Sequence, residues 1–577
     1  MQIENLFAGI GSNSEICNLK SRICNLKFPM TNRTRTDALL LAGFCAFLFF
    51  YGLGQFGLVG ADEPRYAQVS REMLERRDWI TPVLGGEPWL EKPPLYYWQA
   101  MLAYSVYGVS DASARVPSAF DASLLIVALY IFLRRFRPGV ELDGALITAS
   151  CAAVIGYARA AGPDMPLAST FSIALLAWWA WRESGKKIYL GAFYLFMALG
   201  VLAKGPVALF LAVLIIGLYA ATAREFRWVG KTLWPPGIAF FCAVSLPWYF
   251  AVQIRNPQFF RIFFLQHNLE RFSSNLYHHP APFWYYLPVM LLALVPWTVF
   301  VAAALVESAR LWWVERSAEA SSATTAEDTC ELQFRLFLLS WLIVPVAFFS
   351  ISRSKLPGYI LPAVPAGALL LADYLREHLR REDGAKAAKW LVMPHALLAA
   401  ACIVPALLVG YLAMQHHLPA GRPFFAALGL ACVLAVGIAI TLQSRLGLRM
   451  LRFVTLIPVV LAVAAVLKIG SPSLDQALSA RPLAREIAGV ETHPLPLAVY
   501  SVRRELEYGL AFYRNQPIVR YERDRVPVEE HLLIARENSQ SEVARLLPDR
   551  RVLLLGRYTP QHVDYYWIAA AGSTSAH

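Results

Sequence analysis

The sequence predicts an all-α polytopic membrane domain followed by a small soluble α/β domain, and three observations carry that reading. Of the 577 residues, 57% are hydrophobic and only 16% charged, well below the quarter or so of charged residues usual in soluble domains. From residue 37 to 470 the apolar residues fall into runs that match a bilayer core of roughly 30 Å, which takes about 20 helical residues to cross. Residues 471–577 then change in kind: they hold no lysine and no cysteine, and 13 arginines balance 13 acidic residues. Disordered and fibrous classes are excluded. The net charge of +12 is spread between apolar runs rather than gathered in one patch, which excludes nucleic acid and fits loops flanking membrane helices.

Thirteen runs are expected to span, at 38–59, 114–133, 142–160, 165–181, 188–204, 206–222, 234–254, 284–306, 334–352, 357–374, 390–413, 423–443 and 450–468. Gly162-Pro163 and Gly205-Pro206 are the only breaks between the close neighbours from the third run to the sixth. Basic residues then alternate in a useful way. With a cytoplasmic N-terminus the inner segments carry Arg33 and Arg35, Arg134 to Arg137, Arg182 with Lys186 and Lys187, and Arg224, Arg227 and Lys231, as the positive-inside rule requires. An odd number of crossings puts the C-terminus outside.

Residues 1–36 read as a disordered cytoplasmic tail, with a short duplication (Cys17-Asn18-Leu19-Lys20, Cys24-Asn25-Leu26-Lys27) to which no function attaches, and Met30 would serve equally as a start. The first apolar run is too long for a cleaved signal and reads as a retained anchor. Residues 37–470 form the membrane domain, with an outer loop at 60–112 carrying amphipathic helices. In residues 471–577, strand-like runs (Leu497 to Tyr500, Val552 to Leu555) alternate with helix-like ones (Arg481 to Ala488, Arg504 to Tyr513), which predicts α/β. The eight cysteines form no CxxC or Cys/His cluster, so neither a disulfide framework nor a closed metal centre is expected.

Ionisable residues gather at the outer helix ends, where burial near lipid makes them costly and hence informative. Asp62-Glu63-Pro64-Arg65-Tyr66 follows the first run directly, and Trp89-Leu90-Glu91-Lys92-Pro93-Pro94 lies further along the same loop. Asp62 and Glu63 could simply cap a surface helix, and Glu91 with Lys92 could be a solvated pair. Arg159 and Asp164 bracket the third-to-fourth turn, Lys204 the fifth-to-sixth, and Arg353, Lys355 and Tyr359 occupy a later outer turn. His267 and Arg271, four residues apart, share a helix face. One such cation is explained by snorkelling; several together point to an anion site. Cations facing a phosphate leaving group, with carboxylates and aromatics to hold a sugar, fit glycosyl transfer from a polyprenyl-phosphate sugar. No nucleotide-binding glycine loop is present. A secondary transporter would place its charges near the bilayer midplane and show an internal repeat; neither is seen.

Six motifs in order (Asp62 to Tyr66, Glu91 to Pro94, Gly162 to Pro166, Ala203 to Pro206, His267 to Phe272 and Lys355 to Pro362) resemble the bacterial aminoarabinose lipid A transferases, within the protein-mannosyltransferase-like group of GT-C membrane glycosyltransferases. The resemblance implies a GT-C fold and inverting transfer of 4-amino-4-deoxy-L-arabinose from undecaprenyl phosphate to a lipid A phosphate, in the inner membrane of a Gram-negative bacterium, conferring polymyxin resistance. It implies catalytic roles for Asp62, Asp164, Glu91 and Lys92, and substrate binding by Arg65, Tyr66, Lys204, His267, Arg271, Lys355 and Tyr359. Lys92 and Arg271, with Lys355 close behind, are expected on the donor phosphate. Glu91 and His267 have the right ligand types for Zn²⁺ or Mn²⁺, though a plain hydrogen bond serves them equally, and no cofactor is required. Trp89 stands where related enzymes can carry tyrosine, so the reaction class is firmer than the sugar. A monomer is expected, and the alternative is another polyprenyl-phosphate-sugar transferase acting on protein or glycan.

Overall fold

The computed structural model describes residues 32–270, 281–317, 326–380, 388–404, 422–444 and 447–571. Among them, seven helices are long and apolar enough to cross a membrane, and nine if two bent pairs each count as one span: Glu141–Ser150 with Ala152–Ala158, and Phe283–Ala293 with Thr298–Val314. The count is below the thirteen runs expected. The run at 206–222 forms Val207–Thr222, an apolar helix of 16 residues, short for a span. The run at 165–181 lies within Asp164–Ser184, a helix outside those seven, and the run at 390–413 passes beyond the described residues.

The loop at 60–112 folds as its amphipathic pattern requires. Asp62–Glu75 buries Tyr66, Val69, Ser70 and Met73 at helical spacing, and Leu95–Tyr107 buries Tyr96, Tyr97, Ala100 and Tyr104 against it. Between them, β1 (Val83–Leu84) and β2 (Glu87–Pro88) pair antiparallel across Gly85 and Gly86, both at positive φ, the conformation glycine adopts without cost. The Asp62–Glu75 helix has Ala61 at its N-cap and no side-chain cap, so the capping role open to Asp62 is not taken up.

The tight turns before Asp164 and after Lys204 have a common cause. Asp164–Ser184 and Lys187–Lys204 pack closely as an antiparallel pair, which brings the first residue of one beside the last residue of the other. Gly205 ends the second helix at φ +88°, and a Cβ there would lie 2.7 Å from the Phe263 ring, so both the backbone and the neighbour demand glycine.

The C-terminal region holds a five-stranded sheet in the order β4-β3-β5-β7-β6, built from β3 (Leu497–Tyr500), β4 (Ile518–Arg520), β5 (His531–Arg536), β6 (Val552–Tyr558) and β7 (Val563–Ile568). β3 pairs parallel with β4 and β5, while β5–β7 and β7–β6 are antiparallel. Helix Arg504–Arg514 makes the crossover that a parallel β3–β4 pair needs. Alternation divides the strands between two cores: Leu497, Val499, Leu532 and Ile534 pack with Leu483, Ile487 and Leu510, whereas Ala498, Leu533 and Ala535 pack with Val543 and Tyr566.

This region is anchored on residues 54–58 and on Asp111. Arg481 donates to Asp111 at 2.9 Å, to Asp475 at 2.7 Å, and to the carbonyls of Gly54 and Gln55. The Tyr513 hydroxyl donates to Asp111 and accepts from the amide of Leu58 at 2.7 Å. Phe512 enters the same buried cluster as Tyr66, Tyr97 and Met101.

Candidate active site

The site assembles where the ends of several helices converge. Glu63 is its internal strut. Its Oε1 accepts from the amide of Ala161 at 2.7 Å and its Oε2 from Val59 at 2.8 Å, while Arg115 holds both oxygens, at 3.2 and 2.6 Å. The rest of that guanidinium is spent on the carbonyls of Leu53, Phe56 and Gly57. Glu63 thereby fixes Asp62, its neighbour, relative to the turn that ends in Asp164. Nothing in the sequence spacing pointed to Arg115, which is separated from Glu63 by 52 residues.

Asp164 forms an ion pair with Lys204, the contact expected of two residues at facing ends of the antiparallel pair. The ammonium of Lys204 also lies 5.1 Å from the centre of the Tyr359 ring, a cation–π contact. The turn carrying Tyr359 comes close because residue 358 is glycine: a Cβ there would sit 2.7 Å from the Tyr157 hydroxyl and 2.8 Å from Asp164 Oδ1. Tyr157, absent from the expected residues, lies within electrostatic reach of both Asp164 and Asp62. Tyr286 fixes the same turn, its hydroxyl donating to the carbonyl of Leu356 and accepting from its amide, both at 3.1 Å.

On the other side, Asp62 pairs with Arg65, whose guanidinium carbon lies 5.1 Å from the Tyr66 ring, 5.3 Å from the Trp89 ring and 5.6 Å from the ring of Tyr508. The C-terminal region thus touches the site directly. Burial, reinforced by the Asp62 carboxylate, pushes the Tyr66 phenol well above its ordinary value, so it stays neutral. Lys92 Nζ donates to the carbonyl of Glu91 at 3.3 Å, and Glu91 Oε1 lies 3.7 Å from His267 Nε2.

Lys92, Lys204, His267 and Tyr359 line a cavity of about 480 Å³, together with Ser352 and Ser354 and the apolar side chains of Phe210, Phe264, Phe348 and Phe349. Cations beside an extensive apolar lining suit an anionic head on a hydrocarbon chain. Not every expected residue faces it. Lys355 is 7% exposed, its ammonium is turned onto the carbonyl of Ser352 in its own loop, and burial draws its pKa below the usual lysine value. Arg159 spends its guanidinium on the carbonyls of Leu48 and Gly52. Arg271 lies outside the described residues.

No group of three or more His, Cys, Asp or Glu side chains able to hold a metal occurs among the described residues; Glu91 and His267 supply two donors.

Fold and site define a class, that of polytopic membrane proteins with the GT-C glycosyltransferase fold. The chain superposes on ArnT from Cupriavidus metallidurans bound to undecaprenyl phosphate with a TM-score of 0.70, over 92% of this chain and 97% of that one, at 22% sequence identity. In sequence it resembles the bacterial aminoarabinose transferases. Residues 37–263 match the family model described as dolichyl-phosphate-mannose-protein mannosyltransferase. The undecaprenyl phosphate-alpha-4-amino-4-deoxy-L-arabinose arabinosyl transferase of Pseudomonas paraeruginosa is 33% identical over 360 residues, 61% of this chain. Its namesake from Enterobacter sp. is 31% identical over 379 residues, 64% of this chain. These matches span 62% and 64% of the relatives' own length, under two thirds of it.

Proposed function

We propose that the chain is an inverting membrane glycosyltransferase that moves 4-amino-4-deoxy-L-arabinose from undecaprenyl phosphate to a phosphate of lipid A. The observation that carries the reading is the cavity lined both by Lys92, Lys204 and His267 and by Phe210, Phe264 and Phe348. The lysines stabilise the phosphate as it departs, and the apolar trough takes the first isoprene units. Asp62 and Asp164, each paired to a cation, hold the sugar. Glu91 and His267 act as a polar contact to the donor head, and Arg271 is a further cation for the donor phosphate. A lipid A phosphate is already anionic near neutral pH, so attack on the anomeric carbon needs no general base.

The same reading sets the protein in the inner membrane as a monomer with thirteen spans, a cytoplasmic tail at 1–36, a membrane domain at 37–470 and a periplasmic domain at 471–577. Mass spectrometry of lipid A from cells with and without the gene tests it: an added aminoarabinose that requires the gene supports the reading, and identical lipid A with the donor present sinks it. A second reading, transfer of another polyprenyl-linked sugar to protein or glycan, is favoured by the mannosyltransferase model matching residues 37–263. A glycoprotein or glycan change in the same pair of strains would support that one.

A further inference from the structure

Arg353 points outward from a turn whose other polar groups are turned in. The helix Ala326–Ile351 ends just before it, and Ser352, Ser354 and Lys355 are buried. Their polar groups are tied within the turn: Ser352 Oγ donates to the carbonyl of Ser354 at 3.1 Å, Lys355 Nζ donates to the carbonyl of Ser352, and the Tyr286 hydroxyl holds Leu356 by its amide and its carbonyl. Of residues 352–356, Arg353 is the exposed one. Ser352 and Ser354, on either side of it, line the cavity of about 480 Å³, and Arg353 does not. Its guanidinium makes no hydrogen bond or ion pair among the described residues. A free, accessible cation therefore stands at the rim of the cavity.

Its place selects the anion. A phosphate lying in the cavity is faced by Lys92 and Lys204, so Arg353 serves one that arrives from outside. The helix before it, over Cys330–Ile351, is long and apolar enough to cross a membrane, and Ile351 beside it is exposed, which sets the guanidinium at the depth of lipid headgroups. The planar fork of an arginine matches two oxygens of one phosphate. Inverting transfer brings the acceptor to the sugar from the side opposite the leaving phosphate, so two mutually repelling phosphates need two separate sets of cations. We infer that Arg353 binds the phosphate monoester of the lipid acceptor at the rim of the cavity, while Lys92 and Lys204 are kept for the donor phosphate. The assignment rests on the transferase reading above and adds to it a residue that selects an anionic acceptor.

Arg353→Gln and Arg353→Lys in the full chain, reconstituted in nanodiscs of a zwitterionic phospholipid, test this. Three quantities are measured: KM for lipid A at saturating undecaprenyl-phosphate-linked aminoarabinose, affinity for undecaprenyl phosphate alone, and the melting temperature. Arg353→Gln should raise KM for lipid A about tenfold, the worth of a hydrogen bond to a charged group, while binding undecaprenyl phosphate within roughly twofold of wild type and melting with it. Arg353→Lys, which keeps the charge and loses the fork, should fall between the two. An active wild type whose KM for lipid A both variants share would overturn the acceptor role alone. Weaker binding of undecaprenyl phosphate by Arg353→Gln would overturn it in favour of a contact to the donor phosphate. A lowered melting temperature with KM unchanged would overturn it in favour of a plain anchor to phospholipid headgroups. A wild type that binds undecaprenyl phosphate yet transfers no sugar to lipid A would overturn the transferase reading and the acceptor role with it.

Discussion

Arg115 grips Glu63 with two nitrogens, at 3.2 and 2.6 Å, in a setting where neither side chain is more than 8% exposed. Such a pair adds little over a hydrophobic one, but breaking it strands a buried charge, at about 3–5 kcal/mol. Arg115→Ala should therefore lower the melting temperature of the detergent-solubilised protein sharply and reduce its accumulation in membranes. Glu63→Gln, which keeps the shape and can still accept from one of the two amides, that of Ala161 or that of Val59, should cost less. Equal melting temperatures for Arg115→Ala and wild type would show that the strut carries no load.

The ion pair of Asp164 and Lys204 joins two helix ends and is only partly buried, at 26% and 13% side-chain exposure. Each partner alone should matter for transfer, and together they should act as a unit. Asp164→Asn and Lys204→Met are each expected to lower kcat/KM by tenfold or more. The double variant should lose less than the product of the two, with a coupling of about 1 kcal/mol or more, as residues in direct contact show. Strictly multiplicative losses in a double-mutant cycle would separate the two residues functionally.

Lys92 lines the cavity, where the proposed reaction would build charge on the departing phosphate. Lys92→Ala should lower kcat by about a hundredfold or more, the scale on which removing one well-placed electrostatic group acts, while the protein still inserts and melts as the wild type does. Lys355→Ala should do less to turnover, because its ammonium is spent on the carbonyl of Ser352. A Lys92→Ala enzyme with wild-type kcat would remove that residue from the phosphate site.

What the sequence made legible follows from the range of each interaction. Apolar runs and charged helix ends are local signals, so Asp62, Asp164, Lys92, Lys204, His267 and Tyr359 could be read as candidates, and the alternating pattern near Leu497 marked a strand. Arg115, Tyr157 and Tyr508 could not. Each reaches the site through tertiary packing: Arg115 through a contact 52 residues distant, Tyr157 through Gly358, and Tyr508 through the docked C-terminal helix. Lys355 shows the converse. Its position in a motif suggested a phosphate contact, whereas the geometry of its own loop turns the ammonium inward.

Tyr508 gives the C-terminal region a direct part in the site, since its ring lies 5.6 Å from the Arg65 guanidinium that pairs with Asp62. An exposed or half-exposed cation–π contact is worth about 0.5–1 kcal/mol, so Tyr508→Ala should lower kcat/KM only two- to fivefold. Tyr513 instead bridges Leu58 and Asp111. Tyr513→Phe should loosen docking, seen as faster proteolysis between residues 471 and 571, before any change at the site is seen. Tyr508→Ala with a hundredfold loss would assign the ring to substrate.

Asp62 and Asp164 separate two mechanisms. If the acceptor were an alcohol, one of them would remove its proton as it attacks the anomeric carbon, and kcat would fall with acidity as that carboxylate became protonated. If the acceptor is a phosphate, no base is needed, and both aspartates orient the sugar while balancing Arg65 and Lys204. Asp62→Asn and Asp164→Asn keep the shape and remove the charge. Under the phosphate reading each should raise KM for the donor as well as lower kcat, and the acid limb of the wild-type pH profile should follow the second ionisation of the acceptor phosphate, near pH 6. Under the alcohol reading one variant alone should lose kcat by a hundredfold or more with donor KM unchanged, and with it the acid limb. Near-normal activity of both variants would remove the aspartates from either mechanism and leave Asp62 and Asp164 as partners of Arg65 and Lys204 only.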